Sequence, residues 1–324
     1  MSAPVLELRN VSKYFSYGIF GTMLFPAVDD VSLSIGGTPQ IITIAGESGC
    51  GKSTLAKLAL GFLKPDRGKV YYRGKDIWKM RSREKKLFIK EVQPIFQDPF
   101  DTFNPVEPIE NYLRKTVKTF YGETRKEDIE NVIASVLSDV GLSYDDIRGK
   151  KSSELSGGQL QRASIARALL AQPKIIIADE PVSMIDASLR INILNLFRDI
   201  KEKREISILY ITHDLATAFY ISDLIAIMFR GTIIELGSTK DLMEKPGHPY
   251  TKLLIESVPD HRKRDRWLSE EVEAKALEIE EFRLAGCKYV NRCPFAKDLC
   301  RANRPPLVEV SKGHYVACWL HAKS

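Results

Sequence analysis

An α/β fold with a parallel core sheet is predicted by three observations. The Ile-rich runs QIITIAGE (Gln40–Glu47), KIIIADEP (Lys174–Pro181) and SILYITHD (Ser207–Asp214) read as strands, and continuous apolar runs without polar alternation suit central strands covered by helices on both faces. Each run ends in polar, chemically capable residues. Ligands of open α/β sheets bind beyond the carboxyl ends of the strands, so the three ends point to one shared site. Finally, the stretch between the first two runs carries helical periodicity, as in EDIENVIASVLSDVGL (Glu127–Leu142). It is too long for a simple crossover and predicts an inserted helical subdomain over about residues 98–172.

The elements beyond the sheet follow in order. After Gly231, GTIIELGSTKDLMEKPGHPYTKLLIESVP reads as a closing strand and hairpin followed by helices to near Pro259, and WLSEEVEAKALEIEEFRLA (Trp267–Ala285) reads as an acidic helix leading to a cysteine-rich end. The expected domains are therefore 1–259 and 260–324.

Of the 324 residues, 44% are apolar and 28% charged, which suits a globular protein with a sizeable core. The start, MSAPVLELRNVSKYF, has no secretory pattern, and no run reaches the ~18 apolar residues of a membrane span. A cytosolic location is expected, where clustered cysteines more often hold metal than pair. A net charge of +6 is mild; the basic stretches KMRSREKKLFIK (Lys79–Lys90) and HRKRDR (His261–Arg266) contain acids and read as solvated faces, so no nucleic-acid partner is expected.

GESGCGKST (Gly46–Thr54) follows the first strand and precedes the apolar helix LAKLALGFL. Two glycines bracketing four residues, then Lys and Ser, form a P-loop pattern. Its main chain, through Gly46, Ser48, Gly49, Cys50 and Gly51, can wrap a β-phosphate at a helix N-terminus. Lys52 is expected to bridge the β- and γ-phosphates of ATP, Ser53 to reach Mg²⁺ and Thr54 the α-phosphate. Cys50 reads as a small neutral side chain. The second strand ends in Asp179, expected to hold Mg²⁺ through water, and Glu180, expected to polarise the attacking water; the pair matches a Walker B element.

LSGGQLQRASIARALLAQP (Leu155–Pro173) then contains LSGGQ just before that strand. With these motifs in this order, the chain resembles the ATP-binding cassette (ABC) ATPases over most of its length. The resemblance implies a P-loop NTPase of ABC type, with a parallel core sheet, an antiparallel β subdomain, the inserted helical subdomain and a small C-terminal cysteine module. Ser156, Gly157, Gly158 and Gln159 open a helix and form a second anion site, which in the family closes on ATP held by a partner cassette. Gln97 (QPIFQDPF) resembles the Q-loop glutamine that reaches Mg²⁺ or the attacking water, Asp186 (SMID) the D-loop aspartate that communicates across the dimer, and His213 (YITHD) the switch histidine at the γ-phosphate. Phe15 or Tyr14 resembles the aromatic that stacks on adenine.

IFQDPFDTFNP, THDLATA, HPYTKLL (His248–Leu254) and RCPFAKDLCRANRPPLVEVSKGHYVACWL narrow the resemblance to ATPase subunits of dipeptide and oligopeptide importers; relatives of the same type serve sugar oligomers. That resemblance implies two membrane permease subunits as partners, a second ATPase chain (copy or relative), an extracytoplasmic substrate-binding protein acting indirectly, and attachment at the cytoplasmic face of the membrane. Alternatives are an ABC ATPase coupled to nucleic acid or the ribosome, and a regulatory ATPase sensing iron or redox state.

Of the five cysteines, Cys287, Cys293, Cys300 and Cys318 cluster at the end. Their spacing lacks the tight pairs of zinc knuckles. Four thiolates suit a [4Fe–4S] cluster, which some of the importer ATPases resembled here carry; zinc and unliganded packing cysteines are the alternatives. The module is expected to be separate from the ATP site.

Overall fold

The computed structural model describes residues 4–17, 23–122, 125–257 and 280–322. The basic run 261–266 and residues 267–279 of the acidic segment lie outside these. The chain divides into two compact units, one of Met1–Leu6, Ile35–Ile41 and Tyr72–Ile211, the other of Glu7–Ser34, Ile42–Tyr71 and Thr212–Ser324.

The second unit begins with β1 (Leu6–Tyr17) and β2 (Met23–Ile35), continues through β3 (Ile41–Ala45) and α1 (Lys52–Ala59), and includes β4 (Arg67–Tyr72). β1 lies between β2 and β4 in a small sheet. Every residue of β3 is buried, as a strand covered on both faces requires.

The first unit then adds β5 (Lys75–Asp76), α2 (Ser82–Glu91), β6 (Val92–Ile95), the helices α3 (Ile109–Tyr121), α4 (Lys126–Asp139), α5 (Tyr144–Ile147) and α6 (Gly157–Leu170), then β7 (Ile175–Asp179), α7 (Ala187–Arg204) and β8 (Ser207–Thr212). β6, β7 and β8 pair in parallel, with Ile95 opposite Ala178 and Asp179 opposite Ile211. The helices between β6 and β7 are the inserted layer expected from the periodicity. α3 shows its logic, burying Ile109, Leu113 and Val117 at four-residue spacing.

Returning to the second unit, the chain forms α8 (Leu215–Ile221), β9 (Leu224–Phe229), β10 (Thr232–Ser238), α9 (Thr239–Glu244), α10 (Pro249–Glu256), α11 (Asp298–Ala302), β11 (Val308–Ser311) and β12 (His314–Val316). β3 pairs in parallel with β9, and β9, β10, β12 and β11 continue as antiparallel neighbours. Short polar side chains start the helices here: Asp214 accepts from the N–H groups of Ala216 and Thr217, Ser238 from that of Asp241, and Pro249 occupies the first turn of α10, where its missing donor costs nothing.

The cysteine segment does not stand apart from this unit. Its strand β12 extends the sheet on β10, and Tyr289 shares one core with Ala45, Ile227, Phe229 and Tyr250, against which Cys287 and Cys293 pack. A short tail with little apolar surface of its own is stabilised by burying what it has against an existing core. Glu235, fully buried in β10, ties the parts together: it accepts from the N–H groups of Gly247 and His248 at 2.7 and 2.8 Å and contacts His314 Nε2 of β12 at 2.7 Å.

Candidate functional site

The phosphate loop runs from the buried strand β3 into α1. Its two outer glycines are required by close approach: a Cβ on Gly46 would collide with the Met228 carbonyl, and one on Gly51, at φ 108°, with that of Ala27. No side chain caps α1, and its first turn holds no acid, so its amide donors and positive end suit an anion. Lys52 is 4% exposed, and its ammonium donates to the Gly46 and Glu47 carbonyls, each at 2.8 Å. Ser53 is exposed and Thr54 half-buried. Cys50 is fully buried, and burial pushes its thiol pKa up, in keeping with a neutral packing role.

On β1, Phe15 is exposed and its ring lies 6.2 Å from that of Phe25, whereas Tyr14 is half-buried beneath the Arg67 guanidinium. Phe15 therefore offers the open face. His213 is exposed on the turn between β8 and α8, which Asp214 fixes by capping α8.

In the other unit, Asp179 ends β7 and Glu180 follows at φ 45°. That left-handed backbone costs a non-glycine residue roughly 1–2 kcal/mol. It is held by hydrogen bonds from the Glu180 N–H to the Ile211 carbonyl (2.9 Å) and from the Ser183 hydroxyl to the Glu180 carbonyl (2.9 Å). Gln97 is exposed two residues beyond β6, and the β6–β7 register sets it at the same strand end as Asp179 and Glu180.

Ser156 caps α6. Its Oγ accepts from the Gln159 N–H (3.3 Å) while its own N–H donates to Gln159 Oε1 (3.1 Å). Ser156, Gly158 and Gln159 line an open concavity with Arg162, Leu189 and Ile193; Gly157 opens the helix beside them. Asp186 is exposed at the start of α7, and its carboxylate does not cap that helix. Arg162 in this concavity escaped the sequence reading, because nothing in QLQRAS distinguishes it from a solvated helix residue.

Cys287, Cys293, Cys300 and Cys318 line one concavity with His248, Phe295 and Trp319. Burial raises the pKa of Cys293 and Cys318, and pushes that of Cys287 up to about 11. His248 is 1% exposed; burial, with His321 nearby, holds its pKa down at about 3. Its Nδ1 accepts from the Tyr250 N–H at 3.0 Å, which leaves the proton on Nε2, and Nε2 has no hydrogen-bond partner among the described residues. Among those residues, no three histidine, cysteine or carboxylate groups form a set that could hold one metal ion.

A nucleotide-loop cassette with a signature helix and a cysteine-bearing end is thus the class that fold and site define. The ABC transporter family model matches residues 28–183, and that for the oligopeptide/dipeptide transporter C-terminal region matches residues 234–300. The chain is 37% identical to the oligopeptide transport ATP-binding protein AppF of Bacillus subtilis, covering 98% of each chain. It is 35% identical to the oligopeptide transport ATP-binding protein OppF of Salmonella typhimurium, covering 90% of this chain and 87% of that one. Among solved structures it resembles the dimeric ABC transporter cassette MJ0796 at a TM-score of 0.65 and 25% identity, over 72% of this chain and 98% of that one. The chain belongs to the ABC transporter family, in its oligopeptide/dipeptide importer branch. Among the described residues no helix is long and apolar enough to cross a membrane.

Proposed function

We propose that this chain is the ATP-hydrolysing subunit of an importer of di- or oligopeptides, working with membrane permeases and dimerising with a second cassette. The observation that carries this reading is the phosphate loop with Lys52 buried beneath it, in a chain matched almost end to end by oligopeptide transport ATP-binding proteins. The partner permeases are two membrane subunits, which hold the chain at the cytoplasmic face, and cargo arrives through an extracytoplasmic binding protein. Residues 1–259 serve as the nucleotide-binding domain, with the helical subdomain at about 98–172, and 260–324 as the C-terminal module.

The roles divide by chemistry. The loop amides of Gly46 to Thr54 and the Lys52 ammonium bind the phosphates, and Phe15, with Tyr14 beside it, receives the adenine. Ser53, Asp179 and Gln97 would hold Mg²⁺, which would offset the negative charge on the phosphates. Glu180 accepts a proton from the attacking water, oriented by Gln97, while His213 contacts the γ-phosphate. The Ser156–Gln159 helix start of one chain faces the ATP of the other, with Asp186 communicating between the two.

The four cysteines are proposed to hold a [4Fe–4S] cluster, a group that braces a chain segment or carries one electron when bound. Two features of the concavity support a bound group there. The four cysteines line it together, as thiolates that share one group must. The His248 Nε2 proton, at that concavity and without a hydrogen-bond partner among the described residues, suits a sulfur acceptor.

The decisive experiment is co-purification of the tagged chain from its native membrane, followed by ATPase assay. Two permease subunits with peptide-stimulated hydrolysis are expected. Recovery with nucleic acid, or alone with no response to permeases, would contradict the importer reading.

A further inference from the structure

An ionic chain, buried at Arg230 and Glu281 and partly exposed at Glu47 and Arg292, joins the phosphate loop to the cysteine segment. Glu281, 2% exposed, accepts from Arg230 Nε at 2.8 Å and from Arg292 Nε and Nη2 at 2.8 and 2.9 Å. Both guanidinium groups also face the carboxylate of Glu47, the second residue of the loop, with Arg230 Nη2 and Arg292 Nη1 each 3.8 Å from it. The Tyr250 hydroxyl accepts from the Glu47 N–H at 3.3 Å, and the Gly231 N–H donates to the Cys50 carbonyl at 2.8 Å. Two cations and two anions balance, and the loop is gripped at both Glu47 and Cys50.

The charge arithmetic gives this a consequence. A carboxylate on a loop that wraps a polyanion repels the ligand unless cations neutralise it. Arg230 comes from the turn after β9, but Arg292 belongs to the cysteine segment and directly precedes Cys293. We infer that Arg292 is a positioning residue for the nucleotide loop: held by Glu281, it neutralises and orients Glu47, so the cysteine segment sets the affinity of the chain for nucleotide. The inference rests on the P-loop reading above.

The test measures affinity of the full-length chain for a fluorescent ADP analogue with Mg²⁺, beside a thermal melt without ligand. The pair is long and its Glu47 side partly exposed, so Arg292→Gln should weaken binding by up to about tenfold, and the loss should shrink as salt rises. Arg292→Lys, which keeps the charge, should recover most of the affinity. Glu47→Gln should bind at least as tightly as the natural chain, and adding Arg292→Gln to it should cost nothing more. Binding within twofold of the natural chain in a folded Arg292→Gln variant overturns the inference, as does an equal loss with and without Glu47→Gln. If Arg292→Gln does not fold, Arg292→Met, which also removes the charge but keeps an apolar stem, is compared in the two Glu47 backgrounds and decides by the same rule. Lys52→Ala separates the underlying reading: unchanged affinity there sinks the P-loop assignment itself, whereas a large loss there with none at Arg292 overturns only the coupling.

Discussion

Arg167, buried in the signature helix α6, donates to the side-chain oxygen of Gln93 at 2.6 Å and to the Pro94 carbonyl at 2.5 Å. Gln93 and Pro94 lie in β6, the strand that leads to Gln97. The helix carrying LSGGQ is therefore fastened directly to the strand that leads to Gln97.

Arg167→Met should break that fastening while keeping the apolar stem. Hydrogen bonds from a charged group contribute about 1.5–3 kcal/mol, so a lower melting temperature is expected. Nucleotide affinity, which depends on the P-loop, should be nearly unchanged, while permease-stimulated hydrolysis falls. Stimulation at the natural level would show that the fastening carries no coupling.

Glu180→Gln should still bind MgATP and lose about 10²–10⁴-fold in hydrolysis, the usual contribution of a general base. The amide keeps the size of the side chain and removes the proton acceptor. Single-turnover hydrolysis with radiolabelled ATP measures this directly, and turnover near the natural rate would remove Glu180 from the mechanism.

If each nucleotide is met by the Ser156–Gly158 helix start of a second chain, as proposed above, hydrolysis by the purified chain should rise with its concentration. Gly158→Asp, which puts a carboxylate beside that helix start, should depress turnover by about 10²-fold and leave ADP binding intact. Specific activity independent of concentration would rule out the two-chain site.

Anaerobically purified chain should be brown, with about four irons and four sulfides per chain, and Cys293→Ser should lose the colour. The same variant should still bind nucleotide, but less tightly, because Arg292 adjoins the altered residue. Colourless protein with stoichiometric zinc would replace the cluster by zinc, and natural affinity in the bleached variant would argue against coupling through Arg292.

Much of this protein was legible in the chain. The three Ile-rich runs are strands, and GESGCGKST lies between a buried strand and a helix. Such motifs are legible because their chemistry demands particular residues at consecutive positions: glycines where a Cβ would strike neighbouring main chain, and a serine that caps the helix it opens. Phe15 and Tyr14 could not be ranked, because exposure depends on what packs over β1; the Arg67 guanidinium over Tyr14 favours Phe15.

The relation of the cysteine end to the loop was decided by tertiary structure alone. Read as sequence, the segment after residue 260 is a detached module; folded, it adds β12 to the sheet and sets Arg292 against Glu47. Glu47, Arg230, Glu281 and Arg292 carry no local pattern, since charged residues scattered along a chain are usually solvated. Burial of Arg230 and Glu281 changes their meaning: a guanidinium removed from water must find carboxylates, and only the assembled core determines which distant charges are within reach.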